Sequence, residues 1–354
     1  MIIYVLALAV LACVNMKYSG KNRSHADYIA KDCTQPVKGI FIMLVFASHF
    51  APYVELTGVL SKPYLALRED LGQLVVVPFL FYSGFGIAES IRVKGYTYIQ
   101  KMPVRRILNV LFQFDIAILV FGAVQILRGN RVPLLRILQA LVGWESIGNS
   151  NWYILAILLL YLISYLVCAG LSDGNTFTRR KESGWLITIL SVCLIWVLER
   201  HRPSYYYNTI LAYAAGYLYA VYRQGMEELL LDNDRTYLLL LGVLCTLFYI
   251  FRKSWSGNLP AYELAAALFG LIVVLFTMKF QINSRILSYC GEHLFSLYIL
   301  QRLPMTLLKN TPLGENIPVY FISCLVISFG LSWIFDQLVP KLWIKIEKKL
   351  LSVR

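Results

Sequence analysis

Residues 36–54 read PVKGIFIMLVFASHFAPYV, an apolar run of membrane-spanning length with a lysine near one end and a histidine near the other. Lys38 and His49 are eleven positions apart. At about 100° per residue this separation closes to within about 20° of three full turns, so a helix carries both on one stripe, roughly 16 Å apart along its axis. Ionisable groups are costly inside a bilayer, so a helix that keeps two of them on one face marks positions with a task.

The rest of the chain shares this character. Its 354 residues are 58% hydrophobic and 15% charged, with a mean hydropathy of +0.62, against about 25% charged in an ordinary soluble domain. The reading is an all-α polytopic membrane protein. Eleven apolar runs approach the roughly 20 residues needed to cross a bilayer: 1–16, 36–54, 71–91, 107–127, 152–171, 184–199, 205–222, 237–251, 260–278, 286–308 and 318–340. The first run has no basic residues ahead of it and no small-x-small cleavage site, so it reads as a retained helix and not as a secretory signal. The expected organisation is an additional N-terminal helix over 1–16, a membrane domain over 36–340 and a basic tail over 341–354.

The net charge is +13, from 33 Lys and Arg against 20 Asp and Glu. Counted over alternate connecting segments, 21 of the basic residues fall on one side and 11 on the other, with Lys38 inside its helix completing the set. Cytoplasmic loops are enriched in Lys and Arg, so the expected protein is a multi-pass one of the cell (inner or cytoplasmic) membrane, N-terminus outside and C-terminus inside. The same enrichment accounts for the positive charge with no nucleic-acid partner. The seven cysteines are scattered through apolar runs without metal-ligand or CxxC spacing, and read as packing residues; no metal is expected. No Gly-rich nucleotide loop and no internal repeat is present. The long segment 128–151 contains VPLLRILQALVGW, whose amphipathic pattern predicts an interfacial helix.

Several side chains bear chemistry. His49 leads, because imidazole exchanges protons near neutral pH; a histidine reaching to the interface is the plainer alternative. Lys38 also fits an ordinary anchor at the inner end of a span. Glu55 and Asp70 stand where either carboxylate can orient the imidazole. Asp115, Glu263 and Asp336 lie in or near apolar runs, either as paired structural charges or along a polar path. Lys101, Arg105 and Arg106 in YIQKMPVRRILNVLFQF either anchor a helix or bind the phosphates of a nucleotide-bearing donor. Ser83, Gly84 and Gly86 in PFLFYSGFGI permit close helix packing or leave room for a ligand.

Taken in order, these segments resemble the acyltransferase 3 family of integral-membrane enzymes that acylate cell-surface glycans and related acceptors. KGIFIMLVFASH keeps the family's basic residue, Gly-Ile and a histidine eleven positions on, with Lys38 where arginine is usual. FLFYSGFGI matches its aromatic Ser-Gly-Phe segment, RRILNVL is a degenerate copy of its basic element, Trp152-Tyr153-Ile154 matches its mid-chain helix start, and GEHLFSLYILQ matches its late segment around Tyr298. Asn109, Leu111 and Gln301 depart from the arginine, proline and histidine expected at those places. The resemblance implies a ten-helix core preceded here by one extra helix, and no bound cofactor. It further implies a cytoplasmic acyl-CoA donor, acetyl-CoA for an O-acetyltransferase, and a hydroxyl acceptor on a lipid-linked or surface polysaccharide. His49 is then the base or acyl carrier, with Lys38, Arg106, Lys101 and Arg105 at the donor phosphates. The competing readings are a polysaccharide flippase or polymerase, and a family member that has lost activity and acts as a binding protein.

Overall fold

The computed structural model describes residues 1–231 and 233–352; Arg354, counted above among the inner basic residues, lies outside the described residues. The elements in chain order are α1 (Ile2–Cys13), β1 (Lys17–Tyr18), α2 (Lys31–Phe50), α3 (Lys62–Leu71), α4 (Val77–Lys94), α5 (Tyr96–Met102), α6 (Asn109–Leu127), α7 (Leu134–Leu141), α8 (Trp152–Gly170), α9 (Arg180–His201), α10 (Leu211–Leu230), α11 (Asp234–Ser254), α12 (Leu259–Lys279), β2 (Phe280–Gln281), α13 (Arg285–Glu292), α14 (Leu294–Leu300), α15 (Arg302–Leu308), α16 (Pro312–Glu315) and α17 (Ile317–Ser352).

Among the described residues, eight helical stretches are long and apolar enough to cross a membrane: Lys31–Tyr53, Lys62–Lys94, Tyr96–Leu127, Trp152–Gly170, Arg180–His201, Asp234–Ser254, Leu259–Lys279 and Ile317–Ser352. The protein is an all-α, multi-pass membrane protein. The three remaining runs of the expected eleven behave differently. α1 has 12 residues, about 18 Å of helix against a hydrocarbon layer of about 30 Å. The run 205–222 splits into a short 3-10 turn, Ser204–Tyr206, and α10. The run 286–308 breaks at His293 and Gln301 into α13, α14 and α15. The predicted interfacial helix is α7, with Leu134, Leu135 and Leu138 exposed along one side.

Two boundaries change what the sequence suggested. α2 begins at Lys31, one and a half turns before the expected start, because proline is tolerated near a helix N-terminus where few intrahelical donors are lost. Lys38 is thereby two turns inside the helix and half-buried, no longer an end anchor. The expected tail over 341–354 is a helical continuation of α17 as far as Ser352.

Contacts respect the two sides inferred from charge. β1 pairs antiparallel with β2, and buried Lys279 donates to Asp234 and to the Arg23 carbonyl, each at 2.5 Å. Arg105 meets Glu347 at 2.7 Å. All these join segments of the more basic side. Arg252 with Asp70 (2.5 Å) and Arg202 with Glu145 (3.2 Å) join segments of the other. We call the two ends the basic face and the opposite face.

Reciprocal glycine pairs set the tightest helix crossings. A Cβ on Gly39 would lie 1.9 Å from the Leu287 carbonyl oxygen, and one on Gly291 2.1 Å from that of Gln35, so α2 and α13 touch backbone to backbone. Gly84 and Gly216 do the same for α4 and α10, each 2.0 Å from a carbonyl oxygen of the other helix. In lipid, where apolar side chains gain little by leaving solvent, such close approach is a main source of helix association. The core around these crossings is aromatic, with Tyr28, Phe46, Phe81, Tyr213, Tyr217 and Tyr320 fully buried.

Candidate functional site

Two cavities lie at different depths along α2, one around each ionisable residue of the opening stretch. The first, about 320 Å³, is lined by Lys38, Arg106, Tyr82, Ser83, Gly86 and Tyr153, with Gln35 and Glu292. Lys38 stands over the Tyr82 ring, 5.2 Å from its centroid. Arg106 donates from Nε to the Tyr98 hydroxyl at 2.8 Å and leaves the rest of its guanidinium toward the cavity.

The second cavity, about 290 Å³, holds His49, Ser48, Arg68, Asn149, Trp152 and Arg302, among others. A loop wound by its own hydrogen bonds brings Ser150 to the imidazole. The Ile147 N–H donates to Asn149 Oδ1 (3.0 Å), and Ser146 Oγ donates to the Asn149 carbonyl (2.7 Å), the side-chain turn chemistry expected of Ser and Asn. Asn151 Nδ2 then ties the loop to the Gly143 carbonyl and the Tyr206 hydroxyl, both at 2.9 Å. His49 Nδ1 is met by the Gln301 side-chain amide at 3.0 Å and by Ser150 Oγ at 3.4 Å. Its other nitrogen is left for the cavity.

Aromatic rings separate the two spaces. Tyr153, which lines the Lys38 cavity, has its ring 5.5 Å from that of Tyr298, and Tyr298 lies 5.9 Å from the imidazole of His49. Phe79 packs edge-on to Tyr153 at 6.3 Å. The Tyr298 hydroxyl is buried and makes no hydrogen bond of good geometry among the described residues.

A family model described as an acyltransferase domain, Acyl_transf_3, matches residues 37–337. The chain belongs to the acyltransferase 3 family. It is therefore a membrane acyltransferase, of groups other than amino-acyl. No curated protein and no solved structure matches the chain.

The acyltransferase 3 segments quoted from the sequence converge on the two cavities, with specific exceptions. Arg105 does not join the Lys38 cavity: it pairs with Glu347 on α17. Arg105 and Arg106 are consecutive in a π turn, Pro103–Leu108, so the two guanidiniums leave the helix in different directions and only one can enter one cavity. Lys101 likewise lies outside the residues that line it. Asn109 accepts from Gln113 at 2.9 Å and takes no part in either cavity.

The carboxylates expected to orient His49 do not. Asp70 is bonded to Arg252, and Glu55 is exposed in the loop after α2. Gln301, which stands where the family has a histidine, holds the place at Nδ1 instead. The intramembrane carboxylates divide three ways. Glu263 accepts from the backbone N–H groups of Ile210 (3.2 Å) and Leu211 (2.9 Å), capping α10 at its start. Asp336 accepts from His293 Nδ1 at 2.5 Å and from Ser296 at 2.7 Å. Asp115 keeps a buried oxygen with no partner among the described residues.

Gly84 is a packing glycine, whereas Gly86 has open space where a Cβ would stand and lines the Lys38 cavity. Arg68, Arg302, Asn149 and Tyr153 were not singled out for chemistry in the sequence. Arg302 follows Gln301 directly in the late motif, which is the one local signal that pointed to it.

Proposed function

We propose that this enzyme carries an acyl group, acetyl in the simplest case, from a cytoplasmic acyl-CoA to a hydroxyl of a cell-surface or lipid-linked polysaccharide. The basic face is cytoplasmic in this reading. The observation that carries it is the placement of Lys38 and His49 on one helix, each in its own cavity, with the Tyr153 and Tyr298 rings linking one cavity wall to the other. Lys38 and Arg106 meet the donor as cations, and the guanidinium supplies the planar donor pair suited to phosphate. The roughly 16 Å between Lys38 and His49 is bridged by the extended arm of the donor, which delivers its thioester past the two tyrosines.

His49 acts as general base. Its cavity-facing Nε2 takes the proton of the acceptor hydroxyl, whose oxygen attacks the thioester carbonyl. The C–S bond breaks, the ester forms, and the departing thiolate takes up a proton. For Nε2 to offer a lone pair, Nδ1 must carry the hydrogen and donate it. Gln301 Oε1 is buried without a partner among the described residues, and turning the amide over puts that oxygen on Nδ1 as the acceptor, at the expense of the 3.3 Å bond that Nε2 donates to the Tyr298 carbonyl; amide orientation is assigned from such networks. Ser150 Oγ is a second acceptor at the same nitrogen.

The test is transfer of radiolabelled acetyl from acetyl-CoA to endogenous glycan in membranes holding equal amounts of wild-type protein or Lys38→Met. Loss of transfer that high donor concentration restores supports the reading. Unchanged donor dependence removes Lys38 from it.

A further inference from the structure

The His49 cavity is more cationic than hydroxyl activation needs. Arg68 and Arg302 both line it, and none of the described residues lining it is acidic. Among the described residues neither arginine forms an ion pair. Arg302 Nε is buried and makes no hydrogen bond, and Arg68 makes only a long contact, 3.4 Å, to Ser48 Oγ. Arg202, on the same side, also has a buried Nε and Nη2 without partners among the described residues, but it is ion-paired with Glu145 and stacked on Trp144. Asn149 Nδ2, at the cavity wall, is a second buried donor without a partner among the described residues. Trp152 and Tyr205, with rings 6.5 Å apart, supply an apolar wall of the kind a sugar face packs against.

Buried donors cost free energy when unpaired, and a charged guanidinium costs most. Arg302, whose Nε is buried and unpartnered, and the exposed Arg68 line one cavity with no carboxylate among its described residues, an arrangement suited to an anion. We propose that the His49 cavity binds a carboxylate or phosphate carried by the substrate beside the reacting hydroxyl, with Arg302 and Arg68 as its ligands and Asn149 as a supporting donor. The proposal rests on reading this cavity as the acceptor end. The anion belongs either to an acidic sugar of the acceptor or to the far end of a dicarboxylic acyl group such as succinyl.

Arginine modification by phenylglyoxal in the purified full-length protein, read residue by residue by peptide mass spectrometry, tests binding without requiring turnover. Glucuronate and inorganic phosphate are expected to slow modification of Arg302 and Arg68 about tenfold, the scale of one charge-assisted hydrogen bond. The neutral methyl ester of glucuronate and Arg131, which is exposed and lines neither cavity, serve as controls, neither showing the effect. The same protection in His49→Ala separates anion binding from the catalytic role of His49. Protection by the ester equal to that by the acid, or by none of the anions, overturns the proposal.

Transfer assays then distinguish the sources. If the acceptor carries the anion, Arg302→Gln lowers transfer to uronate-containing oligosaccharide about tenfold more than transfer to a neutral one, and Arg302→Lys restores part of it. If the acyl group carries it, the selective loss falls on succinyl-CoA relative to acetyl-CoA. Equal loss with every pair makes the arginines general stabilisers of the transition state and contradicts the proposal.

Discussion

The Gln301 side chain meets His49 Nδ1 at 3.0 Å across 252 residues of sequence. Gly39 and Gly291, which place α2 and α13 in backbone contact, have the same sequence offset. The two helices therefore run side by side in the same direction, and the glycine crossing fixes the register in which Gln301 reaches the imidazole. A residue with no ionisable group thus takes the role that the nearby carboxylates were expected to fill.

Gln301→Leu keeps the approximate volume and removes the nearer partner of Nδ1, leaving Ser150 Oγ at 3.4 Å. Turnover is expected to fall about tenfold, as for loss of about 1–1.5 kcal/mol of orienting hydrogen bond. Gln301→Glu, which retains an acceptor for Nδ1–H, is expected to keep more activity than Leu. Comparing kcat for the two at matched abundance checks the role, and equal loss in both reduces Gln301 to packing.

The crossing itself is open to test. Gly39→Val and Gly291→Val drive new carbons into carbonyl oxygens of the facing helix and are expected to lower folded abundance, at a cost of about 1–3 kcal/mol or more. Gly86→Val meets open space, so it is expected to leave abundance intact while narrowing the Lys38 cavity and raising the donor KM. Detergent-solubilised yield and donor titration separate these effects.

Arg105 and Arg106 are neighbours in sequence with different expected consequences. Arg106→Ala should raise the KM for the acyl donor. Arg105→Ala breaks a surface pair with Glu347, worth up to about 1 kcal/mol, and should leave the donor KM unchanged. A rise for Arg105 as large as for Arg106 would return both to one basic cluster.

Tyr298→Ala removes a ring between the two cavities. Water is then expected to reach the thioester, so acyl-CoA hydrolysis rises relative to transfer. Tyr298→Phe, which loses only a hydroxyl without a well-formed hydrogen bond among the described residues, should behave nearly as wild type. Hydrolysis and transfer followed in the same reaction decide between a separating ring and a binding one.

The membrane class and the main helices were legible because about 20 consecutive apolar residues have one stable backbone solution in lipid. The link from Lys38 to His49 was legible for the same reason: both lie on one helix, where spacing fixes geometry. What was hidden depended on pairs far apart in sequence. Nothing local shows that Gly216 faces Gly84, or that Glu263 caps a helix beginning fifty residues earlier. Arg105 shows the limit within a single motif: charge and position matched Arg106, but its direction was set by a π turn that composition does not announce. Gln301 was visible only as a departure from a family pattern, and its contact with Nδ1 came from the register of α2 against α13 and α14.

In the proposed mechanism His49 activates the acceptor hydroxyl for acyl transfer from the other cavity. The direct measurement is transfer of radiolabelled acetyl from acetyl-CoA to glycan by His49→Ala, inserted at wild-type abundance and with donor binding confirmed by titration. Donor binding is expected to stay close to wild type while transfer falls by at least about a hundredfold, the lower range for a positioned general base. Transfer at the wild-type rate would contradict it.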